Sequence, residues 1–204
     1  SLYFAISNIF LIVYFIFTLI NPNIFNLFVL FLVLLPFGPS LGGLYSMCGK
    51  SLREKDMFFA SHYFKYYKMN FLSNLKIWFF ITSICFVLLI DLQYFYLNKT
   101  SSGIYIFFKV LVIFLGLISL YAFPINSRFY IKLKDLLLTS IYYMIKKFPL
   151  TIMKGSLIFL LFYIIKSISI IFLIFIPLCF IFMHYDNILL NELEKQSVSN
   201  IAQI

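Results

Sequence analysis

From Leu2 to Ile20 the chain runs for 19 residues broken only by Ser7 and Asn8, and runs of similar length recur along it. A helix needs about 20 consecutive apolar residues to cross the hydrocarbon core of a bilayer. Inside that core every backbone polar group must be satisfied by the segment itself, so such runs fold as spanning helices. The apolar share of 63% exceeds the roughly 45–50% of soluble domains, and a chain of 204 residues has too little interior to bury the excess. Charged residues make up only 11% of the chain. Disorder, a coiled coil and a secreted disulfide scaffold are excluded on these grounds.

The expected fold is all-α: a polytopic membrane helix bundle of about six spans in one integral domain, 1–204. The spans are read at about 2–20, 24–48, 72–97, 103–125, 150–165 and 168–185. The first run has no small-residue cleavage site and reads as a span, not a removable leader, while Ser1 points to residues ahead of it. Asn21-Pro22-Asn23 is a tight turn. Pro36, Gly38 and Pro39 fall inside the second run, where the prolines remove backbone donors and force a kink that a neighbouring helix must help satisfy. The tract 150–185 is too long for one span and short for two. Two tightly turned helices hinged near Lys166 are expected, with one bent helix as the alternative. The tail from Asp186 to Ile204 reads as a solvated helix end.

The formal charge is +9, from 16 basic and 7 acidic residues. The basic residues cluster between apolar runs, which is the positive-inside signal of a membrane chain and not a nucleic-acid footprint. With six spans and both termini inside, Lys50, Arg53, Lys55, Lys65, Lys68 and Lys76 fall on one inner loop. Arg128, Lys132, Lys134, Lys146, Lys147 and Lys154 fall on the next, and Lys195 in the inner tail. Lys99, Lys109 and Lys166 lie near the outer face, so the balance is thirteen against three. A bacterial plasma membrane with cytoplasmic N- and C-termini is the expected location.

Both inner loops carry helical patterns. Over 56–71, Phe59, Tyr63, Tyr66 and Tyr67 share one side, with His62, Lys65 and Lys68 toward the other and Asp56 as N-cap. Over 133–148, Asp135 is the expected cap, and Leu137, Ile141, Met144, Ile145 and Phe148 form the apolar stripe. Lys146 and Lys147 sit in the last turn, where cations suit the helix dipole. Pro149 can then open the next helix. Each segment reads as an amphipathic interfacial helix with lysines toward lipid phosphates, or as a helix packed beneath a partner subunit. Lys55-Asp56 and Lys134-Asp135 are 79 residues apart, as are Lys68 and Lys147 (147 − 68 = 79). This register suggests an internal repeat of span, interfacial helix and span.

Chemistry is sparse. HExxH, GxSxG and glycine-rich phosphate loops are absent, so no catalytic residue and no cofactor is expected. Cys48, Cys85 and Cys179 lie in apolar runs without CxxC spacing, and His62 and His184 stand far apart, so no metal site is expected either. Ionisable groups within spans mark ion paths or snorkel to the interface; Asp91 and Lys109 are the candidate intramembrane ion pair. Gly38 and Gly42, four residues apart, allow close helix approach, serving either internal packing or a subunit interface.

The segment Phe37-Gly38-Pro39-Ser40-Leu41-Gly42-Gly43-Leu44-Tyr45 resembles the YesL-like family of bacterial membrane proteins. So do the basic stretch from Lys50 to Asp56 and the aromatic and basic run from Phe64 to Phe71. Farther on, Phe123 to Phe129 and Leu133 to Leu137 are similar to the family's second landmark. The resemblance implies a helical protein of about this length, encoded near carbohydrate import systems, with no agreed reaction or ligand. The expected function is a non-enzymatic accessory or assembly subunit of a carbohydrate ABC importer; a stand-alone small-molecule carrier or channel is the alternative. Expected partners are membrane lipids and an ABC permease or another membrane subunit, with no nucleic acid. Tyr63, Tyr66, Tyr67, Gly38, Pro39, Gly42 and Gly43 are the candidate contacts.

Overall fold

The computed structural model describes residues 2–54, 60–98, 102–129, 131–164 and 168–201. Among them the secondary structure is helical, with no strand. Asp56 and Phe59, expected on the first interfacial helix, lie outside the described residues, as does the side chain of His62.

The first apolar run is not one helix. It divides into α1 (Leu2–Ser7) and α2 (Ile9–Ile20) at Asn8, whose backbone leaves the helical region (φ −115°, ψ 24°). The Asn8 amide bonds to the Ala5 carbonyl, one residue short of the helical partner. The Phe4 carbonyl accepts instead from the side chains of Asn8 (2.8 Å) and Ser7 (2.9 Å). Such local side-chain bonds compete with the helical ladder, which explains why this pair interrupts a run of spanning length.

The turn after α2 is built as its residues require. Asn21 accepts from the Asn23 amide ahead of a single 3₁₀ turn, Pro22–Ile24, and Asn26 caps α3 (Leu27–Leu34) by accepting from Phe28 and Val29. The Tyr14 hydroxyl from α2 clamps the far side of the turn, donating to the Asn26 carbonyl and accepting from its amide, both at 2.9 Å.

The expected proline kink falls at Leu35-Pro36, between α3 and α4 (Phe37–Glu54). Pro39 occupies the third position of α4, where a backbone N–H would have no intrahelical acceptor. A neighbour does assist: the Trp78 indole donates to the Leu34 carbonyl at 2.7 Å. Trp78 belongs to α6 (Phe71–Leu97), which runs beside α7 (Ser102–Arg128). Among the described residues three segments are long and apolar enough to cross a membrane: Leu27–Glu54, taking α3 and α4 together, Phe71–Leu97 and Gly103–Arg128. Ile9–Ile20 and Phe148–Leu160 are shorter apolar helices.

Two short helices lie between longer ones. α5 (Ala60–Met69) packs on α4 and turns into α6 at Asn70; α8 (Leu133–Lys146) packs on α7 and turns at Lys147 into α9 (Phe148–Ile164). Each is thus set between two helices longer than itself, although α9, with 17 residues, exceeds the 14 of α8 only slightly. The cap of α8 differs from expectation. Lys132, in extended conformation, holds the N-cap position without a side-chain bond, and Asp135 sits in the first turn, where its charge suits the helix dipole. The buried face is also shifted. Leu136, Ser140, Tyr143 and Met144 face the core, whereas Ile145 and Phe148 are exposed. α8 carries apolar residues on two faces, so its period alone does not select one; the contact with α7 does.

α9 ends at Ile164 and α10 runs from Ile168 to Ile201. Its tail is not simply solvated, because Asp186, Leu189 and Leu190 are buried. The core centres on α4, where every residue from Gly38 to Gly49 is buried, enclosed by α5, α6, α7 and α10.

Candidate functional site

The most concentrated chemistry lies where α7, α9 and α10 meet. Lys154 is in the second turn of α9, and Asp186 is midway along α10. Their side chains meet at 2.5 Å, with 0% and 1% of their surfaces exposed. The Lys154 ammonium also stands over the Tyr121 ring, 4.1 Å from its centroid, with the Phe182 ring at 5.7 Å. Tyr121, from α7, shares a hydrogen bond of 2.8 Å with Thr151, whose hydroxyl lies 2.8 Å from the Met144 carbonyl at the end of α8.

The logic is electrostatic. An isolated charge in this interior would be strongly disfavoured, and the pair exists because each charge neutralises the other. The aromatic face adds a cation–π attraction that strengthens as water is removed. One oxygen, Asp186 Oδ2, is buried without a hydrogen-bond partner. The arrangement holds four helices in register: α10 through Asp186, α9 through Lys154 and Thr151, α7 through Tyr121 and α8 through the Met144 carbonyl.

A second polar group joins α4, α6 and α7. Asn126 donates to Asn74 at 2.7 Å and accepts from Ser73 at 3.1 Å, while Asn70, at the N-cap of α6, donates to Ser46 of α4 at 3.4 Å. A third joins α1, α4 and α5, where Ser7 bonds to the Tyr63 hydroxyl at 2.8 Å and accepts from Ser40 at 3.0 Å.

These networks place most of the residues singled out from the sequence. Tyr63 is 3% exposed, and burial pushes its hydroxyl up to about 12. Within the chain its hydroxyl meets Ser7 of α1, a contact that the sequence pattern grouping it with Tyr66 and Tyr67 does not reveal. Tyr66 and Tyr67 are half-buried. Gly38, Pro39, Gly42 and Gly43 are all buried and serve internal packing. A Cβ at Gly38 would stand 2.1 Å from the Trp78 Cβ, and one at Gly42 only 2.0 Å from the Asn74 amide nitrogen. At Gly43 the Tyr67 backbone lies at 3.2 Å.

Asp91 and Lys109 form no ion pair among the described residues; the Lys109 ammonium lies over the Tyr105 ring, 4.5 Å from its centroid. The buried pair instead unites two residues that sequence reasoning assigned elsewhere, Lys154 to the inner-loop cations and Asp186 to the tail. The available signal was that each is an ionisable residue set against a long apolar run.

Beyond the buried pair, three cations gather on the stretch of α10 from Asn191 to Glu194. Arg128 contacts Asn191 at 2.9 Å and pairs with Glu194. Lys147 and Lys146 approach Glu192 at 2.9 and 3.8 Å. The hydrogen bond from Lys147 holds the Glu192 carboxyl below its ordinary value. Among the described residues no group of three or more His, Cys, Asp or Glu side chains could hold a metal.

Comparison with known proteins matches the first part of this architecture and leaves out the buried pair. No curated protein and no solved structure matches the chain. Residues 4–92, which run from α1 into α6, match the model of a family described as a protein of unknown function, DUF624.

Proposed function

We propose that this chain is a non-enzymatic accessory or assembly subunit embedded in the bacterial cell membrane, docking laterally against the spans of a larger membrane protein. The observation that carries this reading is the division of its surface. The buried polar groups are turned onto neighbouring helices of the same chain, while α2, α3, α6 and α7 present Phe10, Phe17, Phe28, Val87, Phe107 and Ile113 outward. In a bilayer such a surface meets lipid chains or the apolar faces of other spans. The resemblance to the YesL-like family supports a carbohydrate ABC importer as the larger assembly, with its permease as the lateral partner.

A stand-alone carrier is the second reading, and the crevice found among the described residues does not support it. The crevice between α3 and α6, lined by Leu27, Phe31, Thr82, Cys85 and Phe86 among others, has a volume of about 50 Å³. This crevice has no room for a sugar, since ligand pockets run to several hundred Å³ with convergent polar side chains.

Purification in mild detergent from cells expressing a carbohydrate importer tests the proposal. Stoichiometric recovery of a permease is expected. Recovery of the chain alone, together with sugar flux in liposomes containing only this protein, would overturn it in favour of the carrier.

A further inference from the structure

We propose that Arg128, Lys146 and Lys147 form a binding site for the phosphate of an anionic phospholipid headgroup, and that Glu192 and Glu194 occupy it from within the chain. The cations come from two elements, Arg128 ending α7 and the lysines closing α8, and they converge on one stretch of α10. The guanidinium uses both of its terminal nitrogens, one toward Asn191 and one toward Glu194, the forked geometry that also grips phosphate. Glu192 and Glu194 therefore mark where anionic oxygens are held.

Charge does not close within the cluster. Among the described residues three cations face two carboxylates, which leaves +1, and Lys146 stands at 3.8 Å from Glu192 compared with 2.9 Å for Lys147. Lys146 is thus the cation most able to turn to another anion. Position selects the ligand. Arg128 is the last residue of the apolar segment Gly103–Arg128, which sets the cluster at headgroup depth if that segment crosses the bilayer, and the proposal rests on that part of the membrane reading. The neighbouring side chains Ile145 and Phe148 are exposed beside the two lysines, giving acyl chains an apolar surface that free phosphate would not use. A lipid phosphate would compete with the two glutamates and loosen that stretch of α10, so the site couples membrane composition to the docking of that segment.

Native mass spectrometry of the whole chain in detergent, offered equal amounts of phosphatidylglycerol and phosphatidylcholine, tests this. The wild type should retain phosphatidylglycerol preferentially, and Arg128→Gln/Lys147→Gln should lose that preference by about fivefold per cation removed. Glu192→Gln/Glu194→Gln should retain more phosphatidylglycerol than the wild type, because the internal competitor is weakened. Asp91→Asn, which removes a carboxylate elsewhere on the chain, should not produce that gain, which separates the site from a general effect of net charge. If the double basic variant fails to fold, Lys146→Gln should give a smaller loss in the same direction. Unchanged preference in the basic variants, or reduced retention in the glutamate variant, overturns the proposal. Displacement of the lipid by millimolar inorganic phosphate would reassign the site to free phosphate and overturn the lipid assignment. None of these readings depends on a permease, so failure here is distinct from failure of the subunit proposal.

Discussion

The Lys154 ammonium and the Asp186 carboxylate meet at 2.5 Å across 32 residues of sequence, both withdrawn from solvent and with the Tyr121 ring against the cation. A pair of this kind costs desolvation on both sides, and its worth lies in what happens when one partner is missing.

Removing one charge should therefore be far worse than removing both. Lys154→Met or Asp186→Leu alone should destabilise the fold by about 3–5 kcal/mol, while Lys154→Met/Asp186→Leu together should lie near the wild type. Thermal unfolding in detergent measures the cycle. Additive single and double effects would show that the two side chains do not act as a pair.

Glycine positions offer a contrast within one fold. Gly42→Leu places a side chain against the Asn74 amide and should cost about 1–3 kcal/mol through overpacking. Gly116→Ala, with nothing within 4 Å of the added Cβ, should be neutral or slightly stabilising, since alanine is the better helix former. Equal effects at the two positions would argue that helix propensity, and not contact with α6, governs both.

Acidification should release the stretch of α10 around Glu192. The hydrogen bond from Lys147 lowers the Glu192 carboxyl from its ordinary value of 4.5, so its contribution is present above that value and lost as pH falls through the lowered one. Protection against hydrogen exchange at residues 188–195, taken relative to the intrinsic rate at each pH, should fall below about pH 4.5 in the wild type, and Glu192→Gln should flatten that dependence. A profile unchanged by the substitution would place the transition on another group.

Orientation can be read by cysteine labelling. Asn98→Cys should react from outside intact cells, and Lys134→Cys only after permeabilisation, following the excess of basic residues on the segments flanking α5 and α8. The opposite pattern would invert the topology.

The sequence made some features of this fold legible and hid others for physical reasons. The long apolar segments, the turn at Asn21-Pro22-Asn23 and the break before α4 follow from local composition, because hydropathy and proline act on the residues that carry them. The break at Asn8 did not, since Ser7 and Asn8 in a run of spanning length alter the backbone only through their local hydrogen bonds to the Phe4 carbonyl. The buried face of α8 was hidden because two faces are apolar. The pairing of Lys154 with Asp186 was hidden most completely: hydropathy reads each residue alone, and their meeting depends on how α9 and α10 pack. Gly42 was legible as a packing position, but the Asn74 carboxamide lying against it was not.

The bond between Trp78 and the Leu34 carbonyl has a practical consequence. Trp78 is the chain's single tryptophan, so intrinsic fluorescence has one dominant emitter, anchored to the peptide group at the proline break. Any motion that separates α3 from α6 must free the indole N–H and alter the polarity around the ring. The emission maximum is therefore a label-free gauge of that hinge, available without introducing a dye or altering a residue.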